Sequence, residues 1–430
     1  MALQNLINVG VSMLDVVMLG RVGETSLSAA SLANQLQFIL SLFLFGLTSG
    51  ASILTAQYWG RKDTRTIEKV MAIAMRLALV VAIVFAIVIF SFPVAAMKIF
   101  SGDPEVIKQG AEYLRVISFS YIFAAITVVY LNIMRSVERV IISTIVYLVS
   151  LIVNFILNSI LIFGLLGFPA MGIRGAAIAT LIARIAEFLI VFCYAKFRNR
   201  QVRFHVKDLL VRDRLLMKDF LVYSIPVMLN EIVWGTGTAV VAAVIGHLGT
   251  SVVAANSVAQ VTRQLATVIA FGLANAAAVI CGKALGEGKS ELAKLYAGRL
   301  LRITIVMGVI GIFVILGASG IAKLYLTLSD EAESYLSFMM IVMSYFTFCQ
   351  TINATLIVGV FRAGGDANFG LIIDTVFLWG FSIFLGMIAA FALKLPIRIV
   401  YMIIVSDEVI KLPIVLWRYK SAKWVKNITR

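Results

Sequence analysis

Residues 20–60 read GRVGETSLSAASLANQLQFILSLFLFGLTSGASILTAQYWG, and residues 246–286 read GHLGTSVVAANSVAQVTRQLATVIAFGLANAAAVICGKALG. A shift of 226 positions lays one on the other without a gap: Gly20 and Gly23 fall on Gly246 and Gly249, and Ala29, Ser31 and Ala33 on Ala255, Ser257 and Ala259. Phe45-Gly46-Leu47 falls on Phe271-Gly272-Leu273, Gly60 on Gly286, and further on Arg76 lands on Arg302. Shared apolar composition does not hold a register through helix, turn and helix, so the chain holds two copies of one structural unit. Two such units in a membrane point to a transporter.

Working outward, the 430 residues are 61% hydrophobic, well above the half-apolar make-up of soluble domains. Runs of about 20 apolar residues, long enough to cross a bilayer as helix, recur along the whole length. We read twelve, near 1–19, 27–58, 68–93, 104–134, 140–166, 172–196, 218–245, 251–284, 292–318, 331–361, 367–392 and 396–417. The fold class expected is therefore an all-α polytopic membrane protein. It divides into an N-terminal lobe at 1–197 (helices 1–6), a basic linker at 198–217 and a C-terminal lobe at 218–430 (helices 7–12).

The net charge of +15 raises nucleic acid as a partner, but the placement of the charge answers that question against it. Lys and Arg gather in alternate loops: Arg61, Lys62, Arg65 and Lys69; Arg135 and Arg139; Lys196 to Lys218; Lys283, Lys289 and Lys294; and a tail with Arg418, Lys420, Lys423, Lys426 and Arg430. Two of the opposite loops carry acid clusters, Asp103 with Glu105 and Asp330 with Glu331 and Glu333. By the positive-inside rule the basic loops and both termini face the cytoplasm. An even number of spans per half gives the two copies the same orientation. The basic stretch between them is expected to be a solvated linker facing anionic head groups.

Enzyme chemistry finds little to work with. Cys193, Cys281 and Cys349 are far apart inside spans, and His205 and His247 lie in the linker and a turn, so neither a disulfide framework nor a zinc site can be read. There is no G-x-S-x-G, H-E-x-x-H or P-loop pattern. Met1 to Leu19 lacks the basic leader and small-residue cleavage context of a signal peptide.

Charges within spans are costly in hydrocarbon unless paired or hydrated, so each needs a reading. Asp15 in the first span is either an interfacial carboxylate reaching for head-group water or an ion or proton site. Asn154 and Asn158 stack four apart on one face of the fifth span, and their amides take partners either from neighbouring helices or from an ion. Glu231 in the seventh span either snorkels to the near interface or faces a cavity. Arg184 and Glu187 are spaced to pair with each other, and Arg263 is expected to meet a carboxylate from another helix. Asp374, with Asp407, Glu408 and Lys411, reads as structural pairing.

Small residues four apart let lipid-embedded helices approach closely. Gly46 with Gly50 and Ala56 with Gly60 correspond to Gly272 with Ala276 and Gly282 with Gly286. Pro93, Pro169, Pro226 and Pro396 are placed at or near span ends, and only Pro413 lies deep enough to kink a helix.

Several segments together resemble the multidrug and toxic compound extrusion (MATE) transporters: Asp15 to Gly23, Leu27 to Gln35, Gln57 to Asp63, and Asn154-x-x-x-Asn158 with Ile162-Phe163-Gly164. Gly172 to Thr180, Phe361 to Asp366 and Lys423 to Lys426 extend the resemblance over essentially the whole chain. It implies two six-helix lobes around a central cavity and export of lipophilic, mostly cationic compounds in exchange for protons or sodium, by a protein acting as a monomer without an organic cofactor. It also implies that Asp15 is the ion-coupling carboxylate, with Asn154, Asn158 and Thr180 as companions and Na⁺ as one ion they could hold. Some relatives carry aspartate where this chain has Asn158. In the C-terminal lobe, Trp234 stands about where sodium-binding relatives carry a carboxylate on helix 7, and Gln350, Thr351 and Asn353 where they carry one on helix 10. Glu231, Trp234, Gln35, Gln350 and Asn353 are the expected substrate-cavity residues. The repeat also places the counterpart of Pro226 at position zero, so a leader ahead of Met1 is expected. The alternative is a flippase for lipid-linked saccharides, which needs a cavity lined with Arg and Lys for pyrophosphate; Arg263 is the candidate deep in the lobes.

Overall fold

A computed structural model describes residues 4, 7, 10, 18–203, 206–210, 213–325 and 329–429. Most of the first expected span, Asp15 included, lies outside the described residues, as does His205. Among the described residues the chain is helical, with no strand. In order, the longer helices are α1 (Glu24–Gly60), α2 (Thr64–Ser91), α3 (Pro104–Ile117), α4 (Ser120–Ser136), α5 (Val140–Phe163) and α6 (Gly172–Cys193), with a short helix at Pro93–Lys98 between α2 and α3. They continue with α7 (Arg214–Gly246), α8 (Thr250–Gly286), α9 (Ser290–Tyr325), α10 (Asp330–Ala354), α11 (Ala367–Asp374), α12 (Ile397–Ile404) and α13 (Asp407–Lys420). α10 runs on as a wider π-helical turn through Phe361, and α11 runs on, partly π-helical, through Ala392.

The helix ends follow their local sequence. Asp63 caps α2 by accepting from the Thr66 N–H at 3.0 Å, and Asp103 caps α3 by accepting from the Glu105 N–H at 2.8 Å, with Pro104 at the first position. Ser329 caps α10 through the Ala332 N–H at 3.3 Å. α5 ends at Gly164, whose φ of +74° is the left-handed conformation glycine adopts without strain.

Nine helices among the described residues are long and apolar enough to cross a membrane. The tenth crossing is a broken one: the expected fourth span consists of α3 and α4, bent by 53° at Ser118 and Phe119. The expected last span, 396–417, is likewise two short helices, α12 and α13, interrupted at Val405 and Ser406. Pro226, placed at a span end by the sequence, lies inside α7, twelve residues beyond its start at Arg214. The apolar run begins near 218, but the cap at Asp213, which accepts from the Leu216 N–H at 3.1 Å, starts the helix earlier.

The chain forms two compact units. The first comprises Leu3–Thr55 with Lys62–Ser224, the second Ala56–Arg61 with Ile225–Arg430. In the first, α6 packs on α5 at Gly175, where a Cβ would lie 2.5 Å from the Leu161 carbonyl oxygen. The basic stretch expected as a solvated linker is bound to α2 instead. Arg65 pairs with the buried Asp208 at 3.5 Å, Lys69 with Asp213 at 3.2 Å, and Arg76 donates to the Leu209 carbonyl at 3.3 Å. Its acidic residues Asp208 and Asp213, overlooked beside the Lys and Arg, make two of those contacts.

In the second unit two apolar clusters form the core. One gathers α7, α8, α10 and α12 around Leu336, Met340 and Tyr401; the other gathers α8, α9 and α10 around Cys281, Leu356 and Phe361. The end of α1 crosses α8 in this unit, and the repeat is visible in the contact. A Cβ on Gly60 would meet the Lys283 carbonyl oxygen, and one on Gly286 would meet the Gln57 carbonyl oxygen. Those two contacts map onto each other under the shift of 226 positions. The C-terminal segment folds over the same place. The Gln57 amide donates to the Ala363 carbonyl at 2.7 Å and the Lys426 carbonyl at 3.1 Å, and accepts from the Ile428 N–H at 2.8 Å. Asp366 forms a two-point ion pair with Arg418 at 2.8 and 2.9 Å. Away from these cores, large apolar side chains such as Val84, Ile87 and Phe313 are exposed, as a lipid-facing surface requires.

Candidate functional site

Two polar clusters lie inside the apolar helices, one in each unit. In the first, Asn154 and Asn158 of α5 are fully buried, and a chain of hydrogen bonds links them to α6. Asn158 Nδ2 donates to Asn154 Oδ1 at 3.0 Å, and Asn154 Nδ2 donates to the Thr180 hydroxyl at 3.3 Å. The four-residue spacing brings the amides onto one face, and the close α5–α6 packing brings Thr180 within reach. The three companions expected for Asp15 therefore meet, while Asp15 lies outside the described residues. They offer oxygen donors and no charge, a donor set that suits a hard cation or the proton of a carboxylic acid once a carboxylate joins it. Arg184 and Glu187 pair as expected, at 2.8 and 3.0 Å.

The cluster in the second unit is ionic and joins more helices. Glu231 of α7 does not snorkel alone, because Arg362, at the end of the π-helical turn, donates to it at 2.8 Å and to Asn230 at 3.1 Å. Asn230 donates in turn to Asp374 of α11 at 2.8 Å. Lys411 of α13 is fully enclosed, 2.8 Å from Asp374, 3.0 Å from Glu408 and 3.7 Å from Asp407. Asn353 of α10 donates to the Glu408 carboxylate and to the Glu408 carbonyl, each at 2.8 Å. The expected pairing of Asp374, Asp407, Glu408 and Lys411 is present, but with three carboxylates for one ammonium.

The other expected residues are dispersed. Gln350 accepts from Arg263 at 3.1 Å, and the same guanidinium donates to Gln260 at 2.8 Å, so Arg263 bonds to two amides rather than to the expected carboxylate. Trp234 is half-buried on α7, and Gln35 is exposed on α1. Sequence reasoning missed Arg362 and Asn230 as members of the ionic cluster. Arg362 sits in a segment that reads as a loop, and Asn230 stood unremarked beside Glu231. The usable signal was the mismatch of charge: more acids than bases on spans seven, eleven and twelve ask for a cation from elsewhere.

Comparison with known proteins agrees with this architecture. The MatE family model matches residues 1–160 and 226–388, one segment in each half of the repeat. A probable multidrug resistance protein, YoeA, of Bacillus subtilis is 24% identical over 415 residues, covering 95% of this chain and 88% of the relative. A probable multidrug resistance protein, NorM, of Rhizobium meliloti is 28% identical over 389 residues, covering 88% and 82%. Among solved structures, an outward-facing multidrug resistance MATE family transporter of the MOP superfamily superimposes with a TM-score of 0.88 at 20% identity, over 98% of this chain and 94% of that one. A MOP superfamily transporter from Pyrococcus furiosus, described by the reversed polarity of its binding pocket, superimposes equally well at 19% identity, over 99% and 94%. At that identity both likenesses speak to the fold. With a duplicated helical architecture, membrane-length apolar spans and a family match over most of its length, the chain belongs to the MatE family, the multidrug and toxic compound extrusion transporters.

Proposed function

We propose that this multidrug efflux transporter is a cation-coupled antiporter. It exports lipophilic, mostly cationic compounds by alternating access, acting as a monomer in the prokaryotic inner membrane with both termini cytoplasmic. The observation that carries the reading is the buried Asn158–Asn154–Thr180 chain, which holds polar oxygens in an apolar helix pair at the positions matching the family's companions of Asp15. A carboxylate in such surroundings favours its neutral form, so it takes up a proton, or it draws in sodium with the help of the amide oxygens. Drug and ion then compete to neutralise one charge. Exchange follows if each favours closure of the transporter, because a ligand that binds both states equally shifts nothing.

Transport of a cationic dye into proteoliposomes, with pH and sodium gradients imposed separately, tests the reading and identifies the ion. Asp15→Asn is expected to abolish gradient-driven transport while leaving the protein folded. Transport by that variant at the wild-type rate would end the proposal, as would a wild-type protein that moves no dye under either gradient.

A further inference from the structure

The ionic cluster of the second unit contains one acid more than its bases neutralise. Among the described residues it comprises Glu231 (α7), Asp374 (α11), Asp407 and Glu408 (α13), against Arg362, Lys411 (α13) and the nearby Arg263 (α8). Two of the three acids around Lys411 are well served: Asp374 accepts from Lys411 and Asn230, and Glu408 from Lys411 and Asn353. Asp407 is not. It is buried, Lys411 at 3.7 Å, beyond hydrogen-bond length, is its one ion partner among the described residues, and its other support is the adjacent Glu408 backbone N–H. A second observation points to a missing positive group. Asn353 is 1% exposed, its amide nitrogen is engaged by Glu408, and its Oδ1 is buried with no donor. A surplus carboxylate next to Glu408 and a vacant acceptor on Asn353, itself bonded to Glu408, call for a proton in the cluster, because an isolated buried charge is far more costly than its neutral form. The Lys411 ammonium already fills the centre that a metal ion would occupy, and no group of three or more His, Cys, Asp or Glu among the described residues has metal-holding geometry.

We propose that Asp407 is a reversible proton-binding site of the second unit, its carboxylate taking a proton from hydronium, which leaves as water, and returning it to water as hydronium. Tyr401 (α12) and Cys349 (α10) are the other titratable neighbours acting on the cluster, and Arg263 is turned toward Gln260 and Gln350. Any consequence for transport rests on the reading of the chain as an ion-coupled exporter, whereas the proton site does not.

Infrared spectroscopy of the purified full-length protein tests the site. It is run in an Asp15→Asn background so that the acid band of Asp15 is absent. A buried carboxylic-acid carbonyl band that disappears as pH rises is expected, and Asp407→Asn should remove it. Glu408→Gln, which relieves like charge beside Asp407, should move its disappearance to lower pH by about one unit, and this arm decides if Asp407→Asn does not fold. Absence of the band, its persistence in Asp407→Asn, or an unmoved titration in Glu408→Gln would overturn the site. Dye export by Asp407→Asn is expected to lose its pH dependence across the titration range; an unchanged profile would overturn a part in coupling. A wild-type protein that exports no dye, with the band present in the Asp15→Asn background, would sink the exporter reading and leave the site standing.

Discussion

The two units share an ancestry in sequence but solve the problem of polar groups in hydrocarbon in opposite ways. The first keeps a neutral chain of two amides and a hydroxyl on two adjacent helices. The second ties α7, α10, α11 and α13 together with buried charges. At the offset of 226, Asn154 and Asn158 correspond to Gly380 and Phe384, and Asp407, Glu408 and Lys411 to Leu181, Ile182 and Ile185. The backbone contact at Gly60 and Gly286 is preserved between the copies while the chemistry has moved to different helices. Duplication thus conserves where helices touch, because a close backbone approach tolerates almost no change. Polar side chains are free to diverge wherever a new partner can be found.

The comparison can be broken most severely at Lys411. Lys411→Met removes the one ammonium among three carboxylates and should cost about 3–5 kcal/mol of stability, the usual penalty for leaving a buried charge unpaired, read as a large fall in the thermal unfolding temperature. Adding Asp374→Asn should restore part of it; no restoration would mean that charge balance is not what the lysine supplies. Next is the shared contact. Gly286→Ala places a methyl 1.8 Å from the Gln57 carbonyl oxygen, whereas Gly246, at the end of α7, has nothing within 4 Å. The first should cost about 1–3 kcal/mol through forced helix separation and the second less than about 0.5 kcal/mol; equal effects would mean that the repeated contact does not constrain the glycine.

The neutral cluster should be more forgiving. Asn158→Ala leaves the buried Asn154 oxygen without the donor it has at 3.0 Å, a loss of about 1–3 kcal/mol, and should impair transport more than stability. A change in stability with full transport would mark the amides as packing only. A modest, pH-dependent effect is expected at the start of the second half. The Leu216 N–H and then Lys69 hold the Asp213 carboxyl below the usual carboxylate range. A lowered folded value means that its contribution is present above the ordinary carboxylate range and is lost as pH falls through the lowered one. Asp213→Ala should cost about 1 kcal/mol as a lost cap at neutral pH and less in acid, measured by unfolding at the two pH values.

Much of this was legible beforehand. The apolar runs located nearly every helix, because a bilayer leaves the backbone no alternative to internal hydrogen bonding. The four-residue spacing of Asn154 and Asn158 announced their common face. The break in the last span was not legible, since Ser406 and Asp407 are ordinary within an amphipathic run until their neighbours are known. The attachment of Asp208, Leu209 and Asp213 to α2 was hidden by counting the bases of this stretch and passing over its acids.

By itself the sequence determined that this chain is helical, membrane-spanning, duplicated and a MATE relative, because hydrophobicity, period and register are local properties that repeat along the chain. Only the tertiary structure decided that Arg362 serves Glu231, that Gln57 holds the C-terminal segment, and that one lysine faces three acids. Helical period says which face a residue occupies. It does not say which of the other helices that face meets, and in a membrane that meeting decides whether a buried charge is neutralised.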